Sequence, residues 1–335
     1  MKKYSLAFII LILIISGCKK KKATPANEAA DWTLLATVKG VGLGLGMQDM
    51  CLSDEKTLWL VGQSNYSIKS TEGGVTWQNF VIDTAATSQW SWYAINFPTS
   101  QIGYVAGGEN AIYKTTDGGA TWKQVFNRGN GNLAASRCIN FITADKGFIC
   151  SDFGILYRTT DGGKTWTDQT IPALRNVLLE KVIFIDDLHG WVSGSMGTLL
   201  KTTDGGDTWN IIHSAADVTV SLYRYADPSS IAVLSQNDIF SANGSLMKST
   251  DGGGAWSASE GVLKQGSSLT MKNADESFCY VQPASMAHTY DGGKTWTLFT
   301  LDSYGHLPGP LVKYGHSLYG YNSGDQKIYK YNKTW

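Results

Sequence analysis

A nine-residue motif that returns along the chain constrains the fold more than any other feature of the sequence. Its clearest copy reads KTTDGGDTW and ends at Trp209. The six copies end at Trp77, Trp122, Trp166, Trp209, Trp256 and Trp296. These tryptophans are 40 to 47 residues apart. A regular period of this length is typical of β-propellers, in which each repeat forms one four-stranded blade.

The residue types of the motif fit a tight turn between two antiparallel strands. Two successive glycines supply the positive φ angles that such a turn requires. The acidic residue before them can accept hydrogen bonds from its own turn, and the tryptophan opens the next strand with an apolar face to bury. We therefore predict a structural role, not a catalytic one, for these tryptophans and for the acidic residues Glu72, Asp117, Asp161, Asp204, Asp251 and Asp291.

Seven blades can be counted when the two ends of the chain are combined. The last repeat ends with a strand at 327–330 and lacks a fourth strand. Residues Trp32 to Thr37 have the tryptophan and the alternation of such a strand. Pairing the two would close the ring and remove an exposed sheet edge. The predicted fold is an all-β, seven-bladed β-propeller over residues 32–335, closed by the N-terminal strand.

A basic or imidazole residue occupies the same place on the third strand of every predicted blade. The seven are Lys69, Lys114, Arg158, Lys201, Lys248, His288 and Lys330. They could form a basic ring that attracts an acidic partner. Alternatively, each side chain could pack its stem on an aromatic residue with its head in water. The second interpretation is favoured, because the position belongs to the repeat itself.

The N-terminus has the features of a bacterial lipoprotein signal. A lysine pair precedes an apolar run from Leu6 to Ile15, which is too short to span a membrane. The sequence from Ile15 to Cys18 resembles a lipobox, in which Cys18 is lipidated. We expect a signal peptide at 1–17, a polar tether at 18–31, and an outer-membrane lipoprotein facing the periplasm or the cell surface. An ordinary signal peptide with an unmodified cysteine is the alternative.

The motif resembles the Asp-box, or BNR repeat, of sialidases and other propellers. A predicted strand with a central aromatic residue precedes the motif, as at Gly103 to Gly107 and Gly190 to Gly194. This feature points to one family among the Asp-box propellers. The chain resembles the photosystem II stability/assembly factor family of seven-bladed propellers. That resemblance implies the same fold and a role in binding or assembling proteins, without catalysis.

Composition and residue spacing argue against several other functions. Basic and acidic residues balance at 28 each, so no nucleic-acid partner is predicted. The five histidines lack the spacing of a zinc site, and neither a metal nor another cofactor is predicted. Only five arginines are present, and the F-R-I-P signature of sialidases is missing. Sialidase chemistry is therefore not favoured.

The sequence allows one pair of cysteines to be either bridged or free. Cys138 and Cys150 lie on two predicted adjacent strands, where they could form a disulfide if the protein is exported. The pair could equally remain two thiols, because a disulfide between neighbouring strands demands particular geometry. Cys51 and Cys279 fall in distant blades and are expected to be buried thiols.

Function is expected on the loops of one face of the propeller. In Asp-box propellers the boxes lie on the face opposite the binding site, which is built by the B-to-C and D-to-A loops. Candidate binding residues on these loops are Trp90, Trp92, Arg128, Arg137, Arg175, Tyr304 and His306. The favoured hypothesis is a monomeric, lipid-anchored scaffold that binds a protein partner there. The alternative is a propeller that binds or hydrolyses glycans on an aromatic platform at Trp90 and Trp92.

Overall fold

The computed structural model contains seven four-stranded antiparallel sheets. It describes residues 28–37, 46–83, 91–127, 134–214, 231–242, 245–262, 266–281, 285–301, 308–322 and 326–335. Within these ranges the chain forms 28 strands and four short 3₁₀ turns, at Glu28–Asp31, Gly108–Asn110, Asp152–Gly154 and Pro172–Leu174. No helix in this part of the chain is long and apolar enough to cross a membrane.

Blades 1 to 3 each consist of four strands that are consecutive in sequence. Blade 1 contains β2 (Met47–Leu52), β3 (Leu58–Gly62), β4 (Ser67–Ser70) and β5 (Gln78–Asn79). Blade 2 contains β6 (Trp92–Asn96), β7 (Gly103–Gly107), β8 (Ile112–Thr115) and β9 (Lys123–Phe126). Blade 3 contains β10 (Ser136–Phe141), β11 (Gly147–Ser151), β12 (Leu156–Thr159) and β13 (Thr167–Asp168).

Blades 4 to 6 repeat this arrangement, and blade 7 combines both ends of the chain. Blade 4 contains β14 (Leu179–Phe184), β15 (Gly190–Gly194), β16 (Thr198–Thr202) and β17 (Asn210–His213). Blade 5 contains β18 (Ile231–Val233), β19 (Ile239–Ala242), β20 (Ser245–Ser249) and β21 (Ser257–Val262). Blade 6 contains β22 (Gly266–Met271), β23 (Ser277–Val281), β24 (Ser285–Thr289) and β25 (Thr297–Phe299). Blade 7 contains β26 (Pro308–Tyr314), β27 (Ser317–Asn322), β28 (Lys327–Tyr331) and β1 (Trp32–Thr37).

The core of the molecule lies between neighbouring blades. The first strands of adjacent blades contact one another, as β2 does with β6 and β26, so these strands are the innermost ones. The second strand of a blade is covered on both sides, and every residue of β3, β7, β11, β15 and β23 is buried. Aromatic rings bridge the blades. Phe148 of blade 3 stacks on Phe184 of blade 4 with a centroid distance of 4.8 Å.

The ring closes as predicted, through an N-terminal strand in the C-terminal blade. Strand β1 pairs antiparallel with β28, with Trp32 opposite Tyr331 and Thr37 opposite Lys327. Trp32 is 6% exposed, and its ring lies 5.4 Å from that of Phe278 in blade 6. The seven-bladed, all-β fold is thus confirmed, and β28 is paired on both sides, with β27 and with β1.

The two chain ends together replace the motif that blade 7 lacks. The Asn332 N–H donates to the carbonyl of Asp31 at 2.8 Å, and the Trp335 N–H donates to the carbonyl of His316 at 2.9 Å. The second bond copies one made in the other blades, where a motif glycine such as Gly205 donates to the turn between strands A and B. Glu28–Asp31 therefore contact the folded ring, although the sequence pattern places them in the tether.

Candidate functional site

The nine-residue motif (the box) is a self-contained turn, as blade 4 shows. The Thr202 hydroxyl accepts from Gly206 N–H at 2.8 Å and donates to Asp204 Oδ1 at 2.7 Å. Asp204 accepts from both the hydroxyl and the N–H of Thr208, at 2.6 and 3.0 Å. These bonds, led by the Thr208 hydroxyl, hold the pKa of Asp204 well below its usual range. The carboxylate is thus fully occupied within its own turn.

Each box also joins its blade to the preceding one. The Tyr104 hydroxyl of blade 2 donates to the carbonyl of Gly162 in the next box at 2.9 Å, and Lys114 Nζ donates to the same oxygen at 2.7 Å. Trp191 donates its indole N–H to the carbonyl of Gly252 at 3.2 Å. The second glycine of a box needs its bare Cα here, since a Cβ on Gly206 would lie 2.4 Å from the ring of Phe148. The boxes therefore serve as clamps between blades.

The basic residues of the third strands take part in the same clamps. Five lysines lie over an aromatic ring of their own blade, with Nζ 5.0 to 5.5 Å from the ring centroid. They are Lys69, Lys114, Lys201, Lys248 and Lys330. Arg158 instead pairs with Asp207 of the next box at 2.8 Å. This geometry favours stem packing over a free basic ring, because the cations already have partners.

The face of the ring opposite the boxes (the loop face) carries the B-to-C loops, and those of blades 1 to 4 each contain a non-glycine residue in the left-handed region. Asn65, Glu109, Phe153 and Met196 have φ between 55° and 63°. Such angles are uncommon for residues other than glycine and cluster at functional sites. Phe153 and Met196 are 50% and 54% exposed, so two large apolar side chains point away from the core in blades 3 and 4.

The chain segment 169–178 fixes these two loops relative to one another. Gly154 N–H donates to the carbonyl of Val177 at 2.9 Å, which ties the segment to the loop of Phe153. Ser195 N–H donates to the carbonyl of Leu178 at 2.8 Å, which ties it to the loop of Met196. Arg175 lies exposed on the same segment, and its guanidinium forms no ion pair with any residue that the structure describes. Phe153, Arg175 and Met196 are grouped below as the loop-face patch.

Beside this patch, Arg137 is held by a residue of its own blade and by one of blade 2. Its Nε donates to the carboxylate of Asp152, and its guanidinium lies 5.9 Å from the ring centroid of Tyr93. Asp152 also accepts from the N–H of Ala135 at 3.2 Å. Nearby, Asn110 is 0% exposed and accepts from two serine hydroxyls, while its Nδ2 has no partner among the described residues. Arg137 is thus a positioned cation with part of its surface in water.

The structure describes three of the seven predicted binding residues, and their surroundings differ. Arg137 and Arg175 lie on the loop face. Trp92 is 1% exposed and belongs to the core, where its indole N–H donates to Asn65 Oδ1 at 2.6 Å. Its ring offers no open platform to a sugar. The remaining candidates, Trp90, Arg128, Tyr304 and His306, lie outside the described residues, as does Cys18.

Phe153 and Met196 were not predicted from the sequence. Both precede a glycine in a very short loop, as Phe153-Gly154 and Met196-Gly197. A bulky apolar residue in a turn of this kind is an unusual choice, since Asn, Asp and Gly are preferred there. That departure from turn chemistry was the available signal. Within the described residues, no group of histidine, cysteine and acidic side chains could hold a metal ion.

Comparison with known proteins gives the same repeat. A sequence model of the family described as "Photosynthesis system II assembly factor YCF48" matches residues 24–170, 132–222 and 231–314, which together span most of the chain. The chain belongs to this family. No curated protein sequence matches it significantly.

Solved structures support the fold of this YCF48-family chain. A structure of YCF48 bound to a D1 peptide has a TM-score of 0.71 at 17% identity, covering 90% of this chain and 96% of the other. YCF48 from Cyanidioschyzon merolae has a TM-score of 0.67 at 16% identity, covering 90% and 98%. A virginiamycin B lyase from Staphylococcus aureus reaches 0.68 at 12% identity, covering 89% and 98%. An enzyme thus shares the architecture, so the architecture alone does not decide the function.

Proposed function

We propose that this YCF48-family propeller is a non-catalytic, protein-binding or assembly scaffold, exported and held at a membrane by lipid on Cys18. The observation that carries the proposal is the loop-face patch of Phe153, Arg175 and Met196. Aromatic residues, methionine and arginine are enriched at protein interfaces relative to the rest of the surface. Loops that hydrogen bonds already hold in place lose less conformational entropy when a partner binds, so the free-energy cost of binding is lower. The YCF48 structure with a bound D1 peptide supports a protein as the class of partner.

The course of the chain fits an anchored scaffold. Glu28 enters the ring on the box face, where it contacts His288 next to the box of blade 6. A tether that ends there leaves the loop face turned away from the attachment point. Substituting Cys18→Ser should move the protein from the membrane fraction to the soluble fraction. Unchanged membrane association would overturn the anchor.

The binding proposal is tested by placing a photo-crosslinking amino acid in the full chain, in the native envelope. Position 153 probes the loop face, and position 188 is the matched control, since Leu188 is equally exposed (53%) but lies on the box face. We expect discrete protein adducts from position 153, fewer with Arg175→Ala, and none from position 188. Equal adducts from both positions would contradict a loop-face partner.

The glycan hypothesis is tested with the same protein. A glycan array and a panel of glycoside substrates should show neither binding nor hydrolysis. Specific binding or turnover would favour a glycan-active propeller instead. No observation on the described residues supports that role, because Trp92 is buried.

A further inference from the structure

Two cysteines face each other on the innermost pair of strands in blade 3. Cys138 of β10 and Cys150 of β11 are directly opposite in the antiparallel register. Directly opposed residues have Cα atoms about 4.5–5.5 Å apart, and a disulfide needs roughly 4.4–6.8 Å. The register therefore places the two residues within reach of a bridge, and both are free thiols in the structure.

The two thiols are not equivalent. Cys138 is half-buried, whereas Cys150 is 0% exposed. The neighbouring Cys150 thiol, as a hydrogen-bond donor, lowers the pKa of Cys138, and the Val182 N–H, which donates to the Cys138 sulfur at 3.4 Å, lowers it further. Burial raises the pKa of Cys150 well above its usual value. A reactive thiolate is therefore favoured at the accessible member of the pair.

Cys51 provides an internal comparison. It is also half-buried on an innermost strand, but its partner across the sheet is Trp59. Burial and the neighbouring Asp49 raise the pKa of its thiol well above the usual value. Cys51 is thus exposed to a similar degree as Cys138, but no second thiol lies opposite it and its thiolate is not stabilised.

We propose that Cys138 and Cys150 are a redox-active dithiol that a small-molecule or protein disulfide converts into a cross-strand disulfide. The Cys138 thiolate attacks one sulfur of the oxidant RS–SR, forming a mixed disulfide and releasing RS⁻. The Cys150 thiol then loses its proton and attacks Cys138 sulfur, releasing the second RS⁻. Both leaving groups are protonated to RSH. Two electrons pass from the dithiol to the oxidant, and the products are one protein disulfide and two thiols.

The position of the pair connects this chemistry to the loop face. Arg137 directly precedes Cys138, and Asp152 follows Cys150 by two residues. The bridge would covalently join the two strand ends that carry the Arg137–Asp152 ion pair. Oxidation therefore acts directly beside the surface proposed to bind a partner, although the redox chemistry itself does not depend on that proposal.

The test uses the full chain with Cys18→Ser, purified in detergent, reduced, and then exposed to oxidised glutathione. Remaining thiols are alkylated, and the cysteines are assigned by non-reducing peptide mapping. We expect a disulfide between Cys138 and Cys150, reversed by dithiothreitol, with Cys51 and Cys279 alkylated. The Cys150→Ser variant should accumulate glutathione on Cys138, and the Cys138→Ser variant should accumulate none on Cys150.

The matched control is Cys51→Ser, which should leave the rate of bridge formation unchanged. Glutathione on Cys51 as fast as on Cys138 would overturn the proposal, and so would four alkylated thiols after prolonged oxidation. Peptide mapping of the protein that retains both Cys138 and Cys150 distinguishes these outcomes even if a serine variant folds poorly.

Discussion

The hydroxyl of the second residue of each box is buried and hydrogen-bonded within the turn, which explains why Thr or Ser recurs at this position. In blade 4 the Thr202 hydroxyl serves both the Gly206 N–H and the Asp204 carboxylate. A residue without that oxygen would leave a buried N–H unpaired inside a clamp between blades. The stability of the ring thus depends on single atoms at repeated positions.

We predict that Thr202→Val lowers the free energy of unfolding by about 1–3 kcal/mol, the usual cost of an unpaired buried donor. Valine keeps the shape and β-branching of threonine, so packing should change little. Urea denaturation gives the free energy. The control is Thr203→Val, because the adjacent Thr203 is exposed. Equal denaturation midpoints for the two variants would show that the hydroxyl is dispensable.

Asp49, on the innermost strand of blade 1, makes the stability of the folded protein depend on pH. Burial raises the pKa of its carboxyl from 3.8 to about 7, although the N–H groups of Ile95 and Met50 donate to it. Between these pH values the unfolded chain has released the proton and the folded chain still holds it. The folded state therefore loses stability as pH rises from about 4 to about 7.

Asp49→Asn should remove this loss, because the amide cannot ionise. The variant should gain stability relative to the wild type as pH rises, by roughly 1–3 kcal/mol between pH 5 and pH 8. Thermal melts of both proteins across that range measure the difference. A constant offset between the two curves would mean that Asp49 titrates near its ordinary pKa.

At the scale of single strands, the sequence predicts most of the architecture because the repeat fixes it. The box locates the third and fourth strands of six blades, and the aromatic residue of a strand such as Gly190–Gly194 locates the second. The fourth strand starts one residue later than expected in blade 4, at Asn210, because Trp209 still belongs to the turn. Periodicity defines the elements well but not their ends.

The segment Glu28–Asp31 shows where sequence patterns fail. The residues EAAD have neither an alternating pattern nor a turn signal, so they were assigned to the tether. Their place is decided by distant partners, since Glu28 Oε2 lies 2.8 Å from His288 Nδ1 across 260 positions of sequence. Tertiary contacts of this kind leave no local trace.

We predict that Glu28→Ala destabilises the ring by about 1–3 kcal/mol, because it leaves the buried ring nitrogen of His288 without its partner. Both side chains are almost fully buried, at 3% and 0% exposure. Glu55→Ala is a suitable control, since Glu55 is exposed on a turn. If the two variants melt at the same temperature, Glu28 is not part of the folded ring.

At the scale of the whole molecule, closure of the ring determines which contacts the residues of the box face make. The boxes, basic residues and chain ends on one face are occupied by contacts between blades. On the loop face, Phe153, Arg175 and Met196 are exposed, so their side chains can contact a partner. A closed ring also lets every blade stabilise two neighbours, and loss of one strand should weaken the entire domain.

Deleting residues 19–37 should therefore lower the melting temperature strongly and promote aggregation, because β28 becomes an unpaired edge and the aromatic contacts of Trp32 are lost. Deleting only 19–27 should leave melting nearly unchanged, since Glu28–Asp31 and strand β1 remain in place. A synthetic peptide of residues 28–37, added to the longer deletion, should restore stability in proportion to its concentration, as a ligand does. Equal melting of both deletions, or no effect of the peptide, would mean that the N-terminal strand does not close the ring.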